Sequence, residues 1–409
     1  EISASSDVNI NTHKYSFSSK GLKMSINELS RNLILTRVSI WLAMTLIAVW
    51  FVFIPWKIHQ ISISESDFGF VLMSFGIGSL ASIQISNRFL LTRFSPEFLI
   101  KAGLLSFPVI FFIWATSQSY MALLILALPI SISFGVLNSS VVSATASYEK
   151  KLGRKLMPFH MACFSIGGLT GTILGGLLLS NFEKEEYALL CASILVLLLA
   201  LALAQLKTVH HIPPKQSKTA KPTSRTAIFL GILAALNFGT VGIIMDWSAL
   251  WLTRDLGVAL ALGGIIIFAF NSGEIISRIF GERLLARYGE RTVGVTFTLV
   301  GCVLLLFCLQ AGNVLVIVCG FFIFGLLTSN FFPVLLGLGV TNDDAETQKN
   351  VGDINLIAFT GFVFGPTIVG FLAETYSINL IMHLLAILWA LLAALVYFLI
   401  KPAAIEQAG

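Results

Sequence analysis

Two stretches of this chain repeat each other at a fixed distance of 194 positions. Gly167, Gly171 and Gly176 in the first align with Gly361, Gly365 and Gly370 in the second. The same offset sets Leu90-Leu91-Thr92-Arg93-Phe94-Ser95 against Leu284-Leu285-Ala286-Arg287-Tyr288-Gly289. The glycine-rich stretches lie inside apolar runs long enough to cross a bilayer, which takes roughly 20 residues. Any fold must therefore contain two equivalent halves made of long apolar segments.

Composition names the solvent. Hydrophobic residues make up 56% of the chain and charged residues 11%, against about 25% charged in a soluble domain. Mean hydropathy is +0.89. Twelve spans can be read, approximately 36–61, 66–88, 97–117, 120–147, 156–180, 186–206, 226–252, 258–281, 292–310, 313–339, 351–374 and 378–400. Their length and lack of regular alternation argue for helices over a β-barrel. The expected class is an all-α membrane protein of two pseudo-symmetric six-helix bundles. The expected boundaries are a polar segment 1–35, bundles 36–206 and 226–400, a basic linker 207–225 and a tail 401–409. Paired halves of this kind point to alternating access around a central site.

The 26 Lys and Arg residues set an orientation. With the N-terminus in the cytoplasm, only Lys57, Lys184 and Arg254 fall on the far side. Such asymmetry is the positive-inside signature. The formal charge of +5 thus reflects topology and an anionic leaflet, with no case for nucleic-acid binding. The five cysteines (Cys163, Cys191, Cys302, Cys308 and Cys319) sit within spans and read as small buried hydrophobes. His210-His211 in the linker reads as solvated loop in preference to a metal site. The first apolar run is too long for a cleavable signal peptide, and Met24 is a candidate start residue. No nucleotide-binding loop, metal motif or nucleophile elbow is present, so neither a cofactor nor an enzymatic activity is expected.

The loop after span eight, Arg278-Ile279-Phe280-Gly281-Glu282-Arg283-Leu284-Leu285-Ala286-Arg287-Tyr288-Gly289-Glu290-Arg291, resembles the G-x-x-x-D-R-x-G-R-R loop of the major facilitator superfamily, with Glu282 in place of Asp. The loop after span two has departed further: Asn87 stands at the Gly position, Arg88 at the acidic one and Ser95 at a later Gly. Trp50 before Ile54-Pro55, Phe159-His160 leading into Ser165-Ile166-Gly167-Gly168, Asp246-Trp247-Ser248-Ala249 and Gly361-Phe362-Val363-Phe364-Gly365-Pro366 are similar to a narrower bacterial branch, the MosC-like and YbjJ-like permeases. The resemblance implies a monomeric secondary transporter of the bacterial inner membrane, both termini cytoplasmic, moving a small organic solute by rocking two bundles. Membrane lipids and protons are the other partners it implies. It assigns Arg88, Arg93, Gly281, Glu282, Arg283, Arg287 and Gly289 to a conformational loop motif.

Ionisable groups inside a bilayer are costly, which makes the few present functional candidates. Glu274 and Arg278 are four apart and share a helical face. His160 lies near the inner end of span five, which neighbours span eight in the family fold. The three are candidates for gating or proton coupling, with His titrating near neutral pH. A purely electrostatic staple is the alternative. Asp246, flanked by Trp247, is a candidate for substrate hydroxyls or an outer gate, or else an interfacial anchor. Trp50, Asn237 and Asn271 fall at mid-membrane, roughly 15–20 Å down by helical rise. They would suit a polyol or sugar-like solute, although Asn also joins helices in lipid. Asn138, Ser139, Asn330 and Thr360 are weaker candidates of that kind. Asp353, at the inner start of span eleven, is a candidate partner for Arg88. Import of a polar, sugar-like solute is the first expectation. Export of amphipathic compounds, or a transport-dead sensor on this scaffold, is the alternative.

Overall fold

A computed structural model describes residues 26–152, 156–208, 223–340 and 344–399. Met24, His210 and His211 lie outside these, and the side chain of Glu282 is also outside the description. The described residues form twelve membrane-length helices: α1 (Glu28–Ile61), α2 (Glu65–Leu90), α3 (Pro96–Ala115), α4 (Tyr120–Glu149), α5 (Phe159–Asn181), α6 (Glu185–Ala204), α7 (Arg225–Asp255), α8 (Leu260–Gly281), α9 (Arg283–Gln310), α10 (Val314–Leu338), α11 (Asn350–Thr375) and α12 (Ile378–Phe398). Helices satisfy their backbone groups internally, which lipid demands. Large apolar side chains such as Phe307, Leu315 and Phe398 face outward, as expected where the solvent is hydrocarbon.

Odd-numbered helices start, and even-numbered helices end, on one side, called here the terminal face; the opposite side is the far face. Caps fix several starts. Ser64 and Asp67 form a reciprocal capping box at α2, satisfying two orphan N–H groups. Ser95 caps α3 ahead of Pro96, and Ser224 caps α7 by accepting from Ala227 N.

The helix that carries the α1 span begins at Ile26, with Leu33 and Leu35 buried. Two expectations are corrected. Residues 282–291, expected as a loop after span eight, are helical except at Gly289, where φ is 76°. Cys302 is buried, but Cys191 and Cys319 are exposed on the outside of the bundle; thiols of this size are at home against lipid as well as in a core.

The repeat is visible in the packing. A Cβ built on Gly167 would lie 2.6 Å from Trp41 O of α1, and one on Gly361 would lie 1.9 Å from Ala235 O of α7. Trp41 and Ala235 are themselves 194 apart. Gly171 meets Thr45, and Gly365 meets Gly239, another pair at the same offset. The first two glycines of each stretch therefore seat α5 on α1 and α11 on α7. The third joins the halves: Gly176 meets Ala261 at the start of α8, and Gly370 meets Glu65 at the start of α2.

Candidate functional site

The halves meet along two seams, α2 with α11 and α5 with α8. In the first, Thr367 Oγ1 donates to Gly69 O at 3.0 Å, and Val363 approaches Gly76. Phe70 stacks edge-on against Phe371. At the far face, Arg254 at the end of α7 forms an ion pair with Glu65 of α2 and another with Asp255. Residues Trp251–Asp255 form a π turn, a widening of the helix often found at functional positions. Phe68 of α2 packs edge-on against Trp247 of α7.

The second seam carries the intramembrane charges. Arg278 Nη2 donates to Glu274 Oε1 at 2.9 Å, and Arg278 Nη1 donates to Ser165 Oγ of α5 at 3.0 Å. Glu274 is buried while the Arg278 side chain is 41% exposed. One guanidinium thus neutralises a buried carboxylate on its own helix and bridges to the opposite half. Asn271, one turn before Glu274, faces Gly168 of α5 across the same seam. His160 is buried, and neither ring nitrogen has a hydrogen-bond partner among the described residues. A buried polar group in that state asks for a ligand, a water or a proton donor.

The remaining candidates are dispersed. Trp50 packs against Trp114 with centroids 4.2 Å apart and ring planes tilted by 47°, inside the packing of the N-terminal half. Asn237 is buried with Nδ2 unpartnered. Asp246 is 9% exposed and forms no hydrogen bond or ion pair among the described residues. Asn330 donates to Ser277 at 2.8 Å and occupies the space that Gly281 leaves, 2.6 Å from where its Cβ would be. Ser139 is buried without a partner, Asn138 is half-buried, and Thr360 donates to Ile357 O. Arg88, Arg93, Arg283 and Arg287 are exposed at the terminal face. The side chain of Arg88 is exposed in the π turn Ser86–Leu90. Ser95, at the position of a motif glycine, has φ −70°, so its backbone needs no glycine. Gly289 at the matching site does have positive φ.

Two groupings escape a reading of the sequence. Lys57 is fully buried in α1, donating to Gln60 Oε1 at 2.6 Å and Ser117 O at 3.1 Å and lying over the Trp56 ring. Gln60 in turn donates to Glu186 Oε1. The available signal was a lysine three residues from a glutamine inside an apolar span. The other grouping is a set of four rings in the C-terminal half. Phe238 of α7 has its centroid 4.7 Å from Phe332 of α10, and 5.7 and 4.9 Å from Phe359 and Phe362 of α11. With 33 phenylalanines in the chain, nothing local distinguishes these four.

A family model described as the Major Facilitator Superfamily matches residues 36–341 and 227–409. An uncharacterized MFS-type transporter of Yersinia pestis is 22% identical over 362 residues, covering 88% of this chain and 93% of the relative. Membrane protein MosC of Rhizobium meliloti is 23% identical over 340 residues, covering 81% of each. In structure, the nucleoside transporter NupG superposes with a TM-score of 0.70 at 15% identity, over 91% of this chain and 99% of that one. A bacterial homologue of the human lysosomal transporter Spinster, inward-facing and unoccupied, gives 0.69 at 13% identity, over 92% and 95%. The duplicated twelve-helix architecture and the span of the family match together place this chain in the Major Facilitator Superfamily.

Proposed function

We propose that this protein is a secondary active transporter that carries a small organic solute across the bacterial inner membrane by alternating access. The observation that carries the reading is where the halves touch. Glu65, Gly69, Thr367, Gly370, Gly176 and Ala261 join them in the far part of the molecule, while the Arg278–Ser165 hydrogen bond joins them nearer the terminal face. On the terminal side the loop arginines and the apolar Ile85, Phe89 and Leu356 are exposed. The basic bias of the terminal face supports its assignment to the cytoplasm, and the far-side contacts favour reading this arrangement as closed toward the opposite side. As a member of a transporter family the protein is not an enzyme.

Distances between spin labels in proteoliposomes test the reading, with the native cysteines replaced. One pair, Asn181→Cys with Tyr376→Cys, reports the far face; the other, Arg93→Cys with Tyr288→Cys, reports the terminal face. Alternating access requires two populations, the first distance growing as the second shrinks. A single fixed distance in both pairs indicates a transport-dead scaffold.

Proton coupling through Glu274 and His160 forms part of the proposal. It is supported by a carboxylate and an unpartnered imidazole buried in helices flanking one seam. Uptake by Glu274→Gln that tracks wild type between about pH 5 and 8 removes Glu274 from that role. The unpartnered Asn237 amide favours a hydrogen-bonding, sugar-like solute. The four-ring cluster favours the second reading, an amphipathic solute.

A further inference from the structure

The pseudo-symmetry relating the halves exposes a difference between them. Stepping back 194 positions from Phe238, Phe332, Phe359 and Phe362 lands on Met44, Asn138, Ser165 and Gly168. One half thus sets four rings where the other sets one thioether and three small or polar residues. All four rings are half-buried, so each keeps surface for a further contact. Asp246 also lacks an equivalent, since Val52 stands at its counterpart.

Gly242 links the rings to the acid. The point where its Cβ would begin is 3.6 Å from Phe362 Cδ1 and 3.9 Å from Asp246 Oδ2. The missing side chain leaves a niche with an aromatic edge on one side and a carboxylate oxygen on the other. That carboxylate is more than nine-tenths buried and finds no donor or cation among the described residues. A buried acid in this state either holds a proton or meets a counter-charge, and the aromatic faces beside it attract cations.

We infer that the Gly242 niche is a binding site for a solute that joins a flat apolar body to one positive charge, with the cation at Asp246 and the body on the phenylalanine cluster. The inference rests on the transporter reading only for the solute's fate; the binding is independent of it. Ethidium, a flat monovalent cation, is the probe. Its fluorescence is titrated against purified protein in nanodiscs, with empty nanodiscs as the control. Saturable binding is expected. Asp246→Asn and Gly242→Leu should weaken it by about tenfold or more, and Asp246→Glu should retain most of it.

A second arm needs no variant. On wild type, 2-phenylethylamine should displace ethidium about tenfold more effectively than the uncharged 2-phenylethanol. Myo-inositol and uridine should not displace it. Equal displacement by amine and alcohol overturns the inference, as does unchanged ethidium binding by a folded Asp246→Asn protein. Cation binding without flux in proteoliposomes overturns the transporter reading and leaves the site standing. Flux of a neutral solute without cation binding does the reverse.

Discussion

At the residue scale, a few buried polar side chains decide how this protein holds together in lipid. Lys57 is the sharpest case, because its ammonium is fully buried yet met by Gln60, Ser117 O and the Trp56 ring. Replacing it with Met keeps the stem and strands the Gln60 and Ser117 acceptors. Lys57→Met should therefore lose about 1–3 kcal/mol of stability, read as a lower melting temperature, with Lys57→Arg intermediate. Glu274→Gln is expected to cost less, about 1 kcal/mol, because the part-exposed Arg278 can still reach Ser165 and water. The same melting experiment checks it. Glu274 and Arg278 were legible in the sequence, since a charge pair at helical spacing stands out inside an apolar run. Lys57 was not, because only the fold shows that Ser117, in the connection after α3, and Glu186 of α6 come alongside it.

At the element scale, the repeated glycines do two different jobs. Gly167 and Gly171 seat α5 on α1, as Gly361 and Gly365 seat α11 on α7, and these contacts stay within one half. Gly176 and Gly370 face the other half, so added bulk there acts on the relation between the halves. Gly171→Val should destabilise the whole fold by about 1–3 kcal/mol of overpacking, since its Cβ would lie 2.1 Å from Thr45 O. Gly176→Val and Gly370→Val load a similar penalty onto the far-closed arrangement alone. They should shift the equilibrium toward a far-open state by about tenfold, seen as a longer distance between labels at positions 181 and 376. Spacing alone marks all six residues as sites of close packing. It cannot assign each a neighbour, because that depends on which helix the tertiary fold brings alongside.

For the molecule as a whole, the ion pair between Arg254 and Glu65 ties the last turn of α7 in one half to the first turn of α2 in the other. Its arginine is 41% exposed, which limits the pair to about 0.2–1 kcal/mol. Arg254→Ala should thus open the far face by less than about fivefold, and the double exchange Arg254→Glu with Glu65→Arg should restore the wild-type distribution of label distances. The lipid solvent, the twelve spans, the duplication and the asymmetry of charge follow from composition and periodicity, which every segment carries in its own residues. Which polar groups share a seam, the convergence of four among many phenylalanines, the place of Trp50 in the packing of its own half and the lack of a partner for Asp246 among the described residues are set by the fold. Each of those is a relation between helices far apart in the chain, and the physical chemistry of one helix does not contain it.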